Sequence, residues 1–127
     1  MIEAEFTKTL ITLRMIGIVT DEDWDRTALV FQQSLGAIFG LHIRRQESGE
    51  LLVLMDWENL QGWQSGARTA CTMFCMGYQD LVRRIAIVGP ETWKDDGERL
   101  TDIYKNAQVR FFPTPEREAA LTWLTGR

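Results

Sequence analysis

Apolar residues follow two different spacings along the first third of the chain, that of strands and then that of a helix, and this order predicts an α/β fold. Residues 2–6 and 9–18 are rich in β-branched and apolar types, which predicts two strands paired as an antiparallel hairpin. Gly17 marks a bulge or bend in the second of these strands. Thr20 precedes a run of acidic residues, and apolar positions then recur every three or four residues as far as about Phe39. The hairpin is therefore followed by an amphipathic helix.

The middle of the chain predicts a central strand and a helix with a broad apolar surface. Leu51–Met55 is a continuous apolar run, which is typical of a strand covered on both faces. The residues after it, 56–62, predict a loop. From Trp63 to Gln79 the apolar positions again follow helical spacing. A second apolar row on this helix consists of Cys71, Met73 and Met76.

The stretch Arg84–Leu124 predicts a βαβα unit. It contains a buried strand (Ile85–Val88), a polar helix (95–104), a second strand (Val109–Phe112) and a last helix capped by Thr114. Parallel βα units require right-handed crossovers, so the helices should cover the sheet. The full chain is thus predicted to be a single α/β domain, with a mixed sheet of about five strands and about four helices.

Composition and charge exclude several classes of protein. The net charge of −4 and the isoelectric point near 5.0 disfavour a nucleic-acid binder, because phosphate binding needs clustered lysine and arginine. There is no long apolar run and no signal sequence ahead of the first strand, so we expect a cytoplasmic protein that does not span a membrane. Two cysteines are too few for a disulfide framework.

The reactive side chains do not form a catalytic set. His42 is the only histidine, which excludes a histidine pair, and we interpret it as a surface residue. Cys71 and Cys75 share a helical face and are interpreted as small buried apolar residues. The acidic run after Thr20 suits the positive end of a helix, and Asp56 is expected to cap the loop after the central strand. We therefore expect a non-enzymatic protein without a metal or cofactor.

The tryptophans suggest where a ligand could bind. Trp57, Trp63 and Trp93 each lie in or beside a segment that follows a predicted strand, and ligands of open α/β sheets bind at the carboxyl ends of strands. One hypothesis is a pocket for a nonpolar or lipid-like molecule between helices 63–79 and 95–104. The alternative is that these rings only cover the core or meet a second subunit. The predicted pocket residues are Trp63, Met73, Phe74, Met76 and Trp93.

Four segments together resemble the SpoIIAA-like family, relatives of the STAS domain that have also been likened to the lipid-binding CRAL-TRIO fold. They are Ile16–Asp23 (IGIVTDED), Arg84–Trp93 (RIAIVGPETW), Val109–Phe112 (VRFF) and Glu118–Leu124 (EAALTWL). Their order and spacing carry the resemblance, which covers nearly the whole chain. It implies a small α/β domain that is often dimeric and has no established enzymatic activity.

The resemblance also implies an alternative function, a regulatory module that binds a protein partner. In STAS-type anti-sigma-factor antagonists, a serine at a helix start after the central strand is phosphorylated within an aspartate-serine-serine-glycine motif. Here the matching residues are Gln64-Ser65-Gly66, so the aspartate is absent and one serine is replaced by glycine. Ser65 is the candidate phosphorylation site, because a phosphate suits a helix N-terminus. A homodimer formed through the apolar helix surface is the third possibility.

Overall fold

The computed structural model describes residues 1–7, 10–39, 51–78, 81–104 and 107–126. Within these ranges, the strands are β1 (Ile2–Thr7), β2 (Leu10–Val19), β3 (Leu51–Trp63), β4 (Val82–Gly89) and β5 (Gln108–Pro113). The α-helices are α1 (Asp21–Phe39), α2 (Ala67–Tyr78), α3 (Lys94–Arg99) and α4 (Arg117–Thr125). The interpretation of His42 as a surface residue concerns a position outside the described residues.

The five strands form one mixed sheet in the order β1-β2-β3-β4-β5. β1 and β2 are antiparallel, and each later neighbouring pair is parallel. Since successive parallel strands are added in one direction, right-handed crossovers place α1, α2 and α3 on the same face of the sheet. α4 follows the last strand and packs on the opposite face, against β3, β4 and β5. The predicted mixed sheet with four helices is confirmed.

The predicted hairpin and its bulge are both present. β1 and β2 pair from Ile2–Met15 to Thr7–Leu10. Gly17 has a φ of 70°, in the left-handed region that favours glycine, and the register between β2 and β3 shifts between Gly17 and Ile18. Glycine is therefore required at the bulge.

The start of α1 is a reciprocal capping box. The backbone N–H of Asp23 donates to Oγ1 of Thr20 (3.1 Å), and the N–H of Thr20 donates to Oδ2 of Asp23 (2.9 Å). Oδ1 of Asp23 also pairs with Nη2 of Arg26 at 2.6 Å. Burial is the largest influence on Asp23 and favours its neutral form, but the hydrogen bonds from Thr20 and the charged amino group of Met1 together outweigh it and lower the pKa of the carboxyl. The acidic run thus serves helix capping, as the sequence predicts.

The core is divided by the sheet into a large and a small part. The large part joins the sheet to α1, α2 and α3, and its biggest buried side chains include Trp24, Phe31 and Trp57. The small part lies under α4 and consists of Leu54, Ala86, Val88, Phe112, Ala120 and Leu124. β3 contributes to both parts, so the prediction of a central strand covered on both faces is confirmed.

The predicted loop over 56–62 is wrong. β3 continues through these residues to Trp63, because the long β2 offers a parallel partner as far as the Val19–Trp63 pair. Register shifts along β2 break the simple alternation of apolar and polar residues in this part of β3, which is why the sequence pattern resembles a loop. As a consequence, α2 begins at Ala67 and not at Trp63.

Two later helices also differ from their predicted bounds. The helix predicted over 95–104 is a single α-helical segment, α3, flanked by 3₁₀ turns at Glu91–Trp93 and Leu100–Asp102. Residues Thr114–Glu116 form another 3₁₀ turn before α4, and no side-chain hydrogen bond caps that helix. The prediction that Thr114 caps the last helix is therefore wrong, because the chain first makes a tighter turn with Pro115 inside it.

Candidate functional site

A pocket of about 270 Å³ lies between α2 and α3, above the second half of β3. We call it the α2–α3 pocket. Its lining residues are Trp57, Trp63, Arg68, Cys71, Thr72, Asp96, Arg99, Leu100 and Ile103. α3 packs against β5, whereas α2 packs against α1, so the two helices leave a gap between them.

The pocket exists because β3 extends beyond its neighbour β4. The ladder between the two strands ends at the Asp56–Val88 pair, so the next residues of β3 lack a strand on that side. The turn after β4 partly replaces it, since Nε1 of Trp93 donates to the backbone oxygen of Leu60 at 3.2 Å. Trp93 thus supplies the donor that a neighbouring strand would otherwise give to the carbonyl of Leu60, because a backbone carbonyl without a ladder partner needs another donor.

The inner wall of the pocket contains two indole rings from β3. Trp57 and Trp63 meet edge to face, with ring centroids 5.5 Å apart and planes at 83°. Trp57 is only 1% exposed. Among the described residues, Nε1 of each ring is buried and has no hydrogen-bond acceptor. Both donors are sealed within the wall and are not open to the pocket, so the wall presents apolar ring surface to that space.

The mouth of the pocket is charged. Nη2 of Arg68 on α2 lies 3.3 Å from Oδ1 of Asp96 on α3, which links the two helices across the opening. Arg99 is exposed on the same rim, and within the described ranges no carboxylate lies at ion-pair distance from it. Two guanidinium groups and one carboxylate leave the rim with a net positive charge.

The two cysteines of α2 lie at the pocket and beneath it. Cys71 lines the pocket, Cys75 is fully buried beneath it, and both are free thiols. A hydrogen bond to Cys75, together with burial, raises the pKa of Cys71 well above its usual value. Burial likewise raises the pKa of the neighbouring Tyr104. Cys71 and Tyr104 therefore stay neutral near pH 7, whereas the hydrogen bond with Cys71 lowers the pKa of Cys75, which is fully buried. The interpretation of both cysteines as buried apolar residues agrees with this environment.

The other side of α2 faces α1 across an open groove of about 690 Å³. We call it the α1–α2 groove. Its floor is an aromatic cluster in which neighbouring ring centroids lie 4.4–5.1 Å apart. The cluster consists of Trp24, Phe31, Phe74 and Tyr78. Met73 lies on the groove wall and is 66% exposed, and Met76, one turn away, is 53% exposed.

The five predicted pocket residues are distributed over different surfaces. Trp63 lines the α2–α3 pocket, whereas Met73 and Phe74 line the α1–α2 groove. Met76 is solvent-exposed, and Trp93 supports β3. On α2, Cys71 and Thr72 face α3, whereas Met73 and Phe74 face α1. That any of the five binds a ligand stays a prediction.

Sequence reasoning missed the polar residues of the rim. Arg68, Asp96 and Arg99 are ordinary exposed charges in the sequence, and only the approach of α2 to α3 brings them together. The sequence predicts a loop at Trp57, but this residue lies inside β3, where it is almost fully buried. The apolar residues of this segment, Trp57, Leu60 and Trp63, recur every three positions, so the sequence lacks the period of two that marks a strand.

Ser65 lies in the turn between β3 and α2 and is exposed. The following Gly66 has a φ of 89°, and a Cβ atom added there would lie 3.8 Å from Oδ2 of Asp21. The candidate phosphorylation site therefore adjoins the acidic start of α1 as well as the start of α2. A phosphate there would meet an attractive helix N-terminus and a repulsive carboxylate.

A second polar cluster lies under α4 on the opposite face of the sheet. Nη1 of Arg117 is 3.1 Å from Oδ2 of Asp56 and 3.3 Å from Oε1 of Glu58. Oδ1 of Asp56 accepts the backbone N–H of Glu58 (3.0 Å). Asp56 thus anchors α4 to β3 and does not cap a loop, which corrects the sequence-based interpretation. In the part of the chain that the structure describes, no three potential metal ligands cluster.

The SpoIIAA-like family model matches residues 10–125, which is nearly the entire sequence. The chain belongs to the SpoIIAA-like family. No curated protein gives a significant match. None of the helices in the described ranges is long and apolar enough to cross a bilayer.

Two solved structures show the same fold. One is an uncharacterized protein with a SpoIIAA-like fold from Shewanella loihica PV-4, with a TM-score of 0.73 and 19% sequence identity, covering 98% of this chain and 92% of that one. The other is the anti-sigma factor antagonist SpoIIAA in its unphosphorylated form, with a TM-score of 0.56 and 12% identity over 100% of both chains. At these identities the likeness concerns the fold.

Proposed function

We propose that this SpoIIAA-like protein is a non-enzymatic regulatory module that binds a protein partner through the α1–α2 groove. The observation that carries the proposal is the open groove over the aromatic cluster, with Met73 exposed on its wall and Met76 exposed next to it on α2. Exposed apolar patches of this kind are typical of interaction sites, and methionine side chains adapt to the shape of a partner. The structural likeness to an anti-sigma factor antagonist supports the same class of function.

The proposal is tested by placing charge in the groove. Met73→Glu combined with Met76→Glu should abolish capture of the partner by the purified protein in a cell extract, because a buried unpaired carboxylate opposes binding. Ile18→Glu is the matched control, since Ile18 is 59% exposed on β2 and lies outside the groove. Retention of the same partners by the double variant would exclude the groove.

The same variants distinguish a foreign partner from a second copy of the chain. Sedimentation at micromolar concentration measures the mass of the wild type and of the double variant. A wild-type dimer that becomes a monomer when Met73 and Met76 are changed would assign the groove to a homodimer. A monomeric wild type would indicate that the groove binds a different protein and not a second copy of the chain.

Ser65 provides a candidate switch for this interaction. A phosphate in the turn adds charge at the start of α2 and beside Asp21, at one end of the groove. Ser65→Asp should then reduce partner capture, whereas Ser65→Ala should not. Identical partners for the two variants would rule out the switch.

A second candidate function is the binding of a nonpolar small molecule, and the α2–α3 pocket favours it. Its volume of about 270 Å³ is near the lower limit of ligand sites, and its inner wall is apolar. Native mass spectrometry before and after denaturation would reveal a co-purified ligand. Absence of any ligand, together with no uptake of fatty acids or hydrophobic dyes, would exclude this function.

A further inference from the structure

The first strand of the sheet has a free side with defined hydrogen-bonding groups. Among the described residues, β1 is an edge strand that pairs with β2 alone. Met1 and Ile16 exchange both of their backbone hydrogen bonds, at 2.8 and 2.9 Å. Because hydrogen-bonded pairs alternate along an antiparallel ladder, every second residue after Met1 also bonds to β2. The N–H and C=O groups of the residues between them, Ile2, Ala4 and Phe6, therefore point away from β2.

A groove of about 250 Å³ lies beside this edge, between β1 and α1. We call it the β1–α1 groove. The polar groups on its wall already have partners within the chain. Oγ1 of Thr27 donates to the backbone oxygen of Asp23, and Arg26 pairs with the Asp23 carboxylate. The groove therefore offers mainly apolar surface next to the backbone groups that point away from β2. Its lining residues are Ile2, Ala4, Arg26, Thr27 and Val30.

The opposite face of β1 carries negative charge. Glu3 and Glu5 alternate with the residues that face α1, and both are exposed. Glu5 pairs with Arg14 of β2 at 2.9 Å. Within the described ranges, no basic group lies at ion-pair distance from Glu3. A strand added to this edge would therefore meet carboxylates on one face and an apolar groove on the other.

These carboxylates disfavour pairing between two copies of the chain. An antiparallel pair in which Ala4 faces its own copy places Glu3 directly opposite Glu5. Shifting the register by two residues in either direction places a glutamate opposite itself. Like charges in directly opposite positions destabilise a strand pair, whereas opposite charges stabilise it. The edge therefore favours a foreign strand with basic side chains over a second copy.

We propose that the free edge of β1 binds an extended segment of a partner protein in which apolar and basic residues alternate. The segment adds a strand to the sheet through the backbone groups that point away from β2. Its apolar side chains enter the β1–α1 groove, and its lysine or arginine side chains lie beside Glu3 and Glu5.

The edge is ordered before the partner binds. Phe6 packs against Phe31 of α1 with ring centroids 5.6 Å apart, which fixes β1 against the core. A preorganised strand loses little conformational entropy when it binds. The β1–α1 groove shares no lining residue with the α1–α2 groove, so this surface is independent of the partner site proposed above.

Peptide titrations followed by NMR test the surface without knowledge of the partner. The probe is a capped peptide of alternating valine and lysine, as long as β1, and the control peptide has glutamate in place of lysine. The lysine peptide should bind about tenfold more tightly, since two cross-strand charge pairs change from repulsion to attraction. It should also slow amide hydrogen exchange at Ala4 and Phe6 and leave β5, the other edge, unchanged. Equal affinities, exchange that stays fast at both amides, or no binding at millimolar peptide would each overturn the inference.

Ala4→Pro tests the role of the backbone. Proline removes the N–H of Ala4, which points away from β2, so the ladder between β1 and β2 keeps its hydrogen bonds. The variant should bind the lysine peptide at least about tenfold more weakly. Ala4→Ser keeps the N–H and is the matched control, with binding like that of the wild type. Unchanged binding by a folded Ala4→Pro variant would contradict strand addition.

Glu3→Lys tests the role of the charge, and it decides the matter if Ala4→Pro does not fold. Reversing one of the two charges should reduce the tenfold preference for the lysine peptide to about one. Glu98→Lys, at an exposed position of α3, makes the same change in net charge and should keep the preference. An equal loss in both variants would show an effect of net charge alone and contradict the role of β1.

The double variant of the α1–α2 groove separates the two surfaces. Met73→Glu combined with Met76→Glu should bind the lysine peptide with unchanged affinity and the same slowed exchange in β1. Binding that depends on the two methionines and not on Glu3 would place the peptide in the α1–α2 groove and overturn the inference.

Discussion

The two sides of helix α2 differ in what they face, although both are built from apolar residues. On one side, α1 contributes aromatic rings that pack into a cluster and leave an open groove with exposed methionines. On the other side, the short α3 packs against β5 and leaves a pocket with buried indole donors and a charged mouth. A broad open apolar surface suits a protein, whereas a small, partly enclosed pocket suits a small molecule. The neighbours of α2 therefore determine the kind of partner on each side.

The largest expected effect concerns the aromatic cluster of the α1–α2 groove. Phe31 is 1% exposed and its ring contacts the rings of Phe6, Phe74 and Tyr78. Phe31→Ala should lower the free energy of unfolding by about 3–5 kcal/mol, because a cavity replaces the ring. Urea denaturation monitored by circular dichroism measures the change.

Met73→Ala is the control for the cluster. Met73 is 66% exposed, so its loss should change the free energy of unfolding by less than about 0.5 kcal/mol. Similar losses for Phe31→Ala and Met73→Ala would show that the groove floor is not a packed part of the core.

Intermediate changes in the free energy of unfolding are expected from two glycines, Gly97 on α3 and Gly77 on α2. A Cβ atom at Gly97 on α3 would lie 3.0 Å from Cδ2 of Phe111 and 3.3 Å from Cδ1 of Ile87. Gly97→Ala should therefore destabilise the protein by about 1–3 kcal/mol through overpacking.

At Gly77 on α2, which borders the groove, no atom lies within 4 Å of an added Cβ. Gly77→Ala should stabilise the protein by about 0.5–1 kcal/mol, because alanine loses less backbone entropy in a helix.

Thermal denaturation of the two alanine variants compares the packing on the two sides directly. Opposite shifts of Tm are expected. A gain in Tm for Gly97→Ala would mean that α3 can move away from the sheet and that the pocket is adjustable.

The smallest expected effect concerns the start of α1. Asp23→Asn removes the charge from the capping box and from the pair with Arg26, and should cost about 1 kcal/mol. Since the pKa of Asp23 is lowered in the folded state, its stabilising contribution is present above the pKa of the unfolded chain. The contribution disappears as the pH falls through the folded-state pKa.

The stability difference between wild type and Asp23→Asn should consequently narrow on acidification below about pH 4. Amide hydrogen exchange should be faster in α1 of the variant and unchanged in α3. This would show that the change affects the helix beside the groove and not the helix beside the pocket. A difference in stability that is constant between pH 7 and pH 3 would contradict the role of the charge.

The sheet and most of its elements follow from local patterns. The β-branched runs of β1 and β2, the capping residues around Thr20 and the apolar run at Leu51 each act through neighbours in the sequence, so they can be recognised there. The second half of β3 could not be recognised, because it depends on pairing with β2 across register shifts. One missed strand segment then displaced the predicted start of α2.

The lining of the pocket depends on which face of α2 meets α3. Cys71 and Thr72 face α3, while Met73 and Phe74 face the groove. The sequence placed a pocket between the right pair of helices because the order of elements determines which helices are neighbours. It could not give the lining, because successive side chains on a helix point about 100° apart and only packing decides which of them face α3.

The sequence by itself determined the family, the mixed sheet and the absence of a recognisable catalytic motif, since each depends on residue order and short-range spacing. Only the tertiary structure decided which side chains share a site. The indole rings of β3 line one pocket with the charges of α2 and α3 because β4 ends early and α3 packs against β5. The contact between α2 and α3 joins residues 28 positions apart, and its distance follows from packing, which no local pattern encodes.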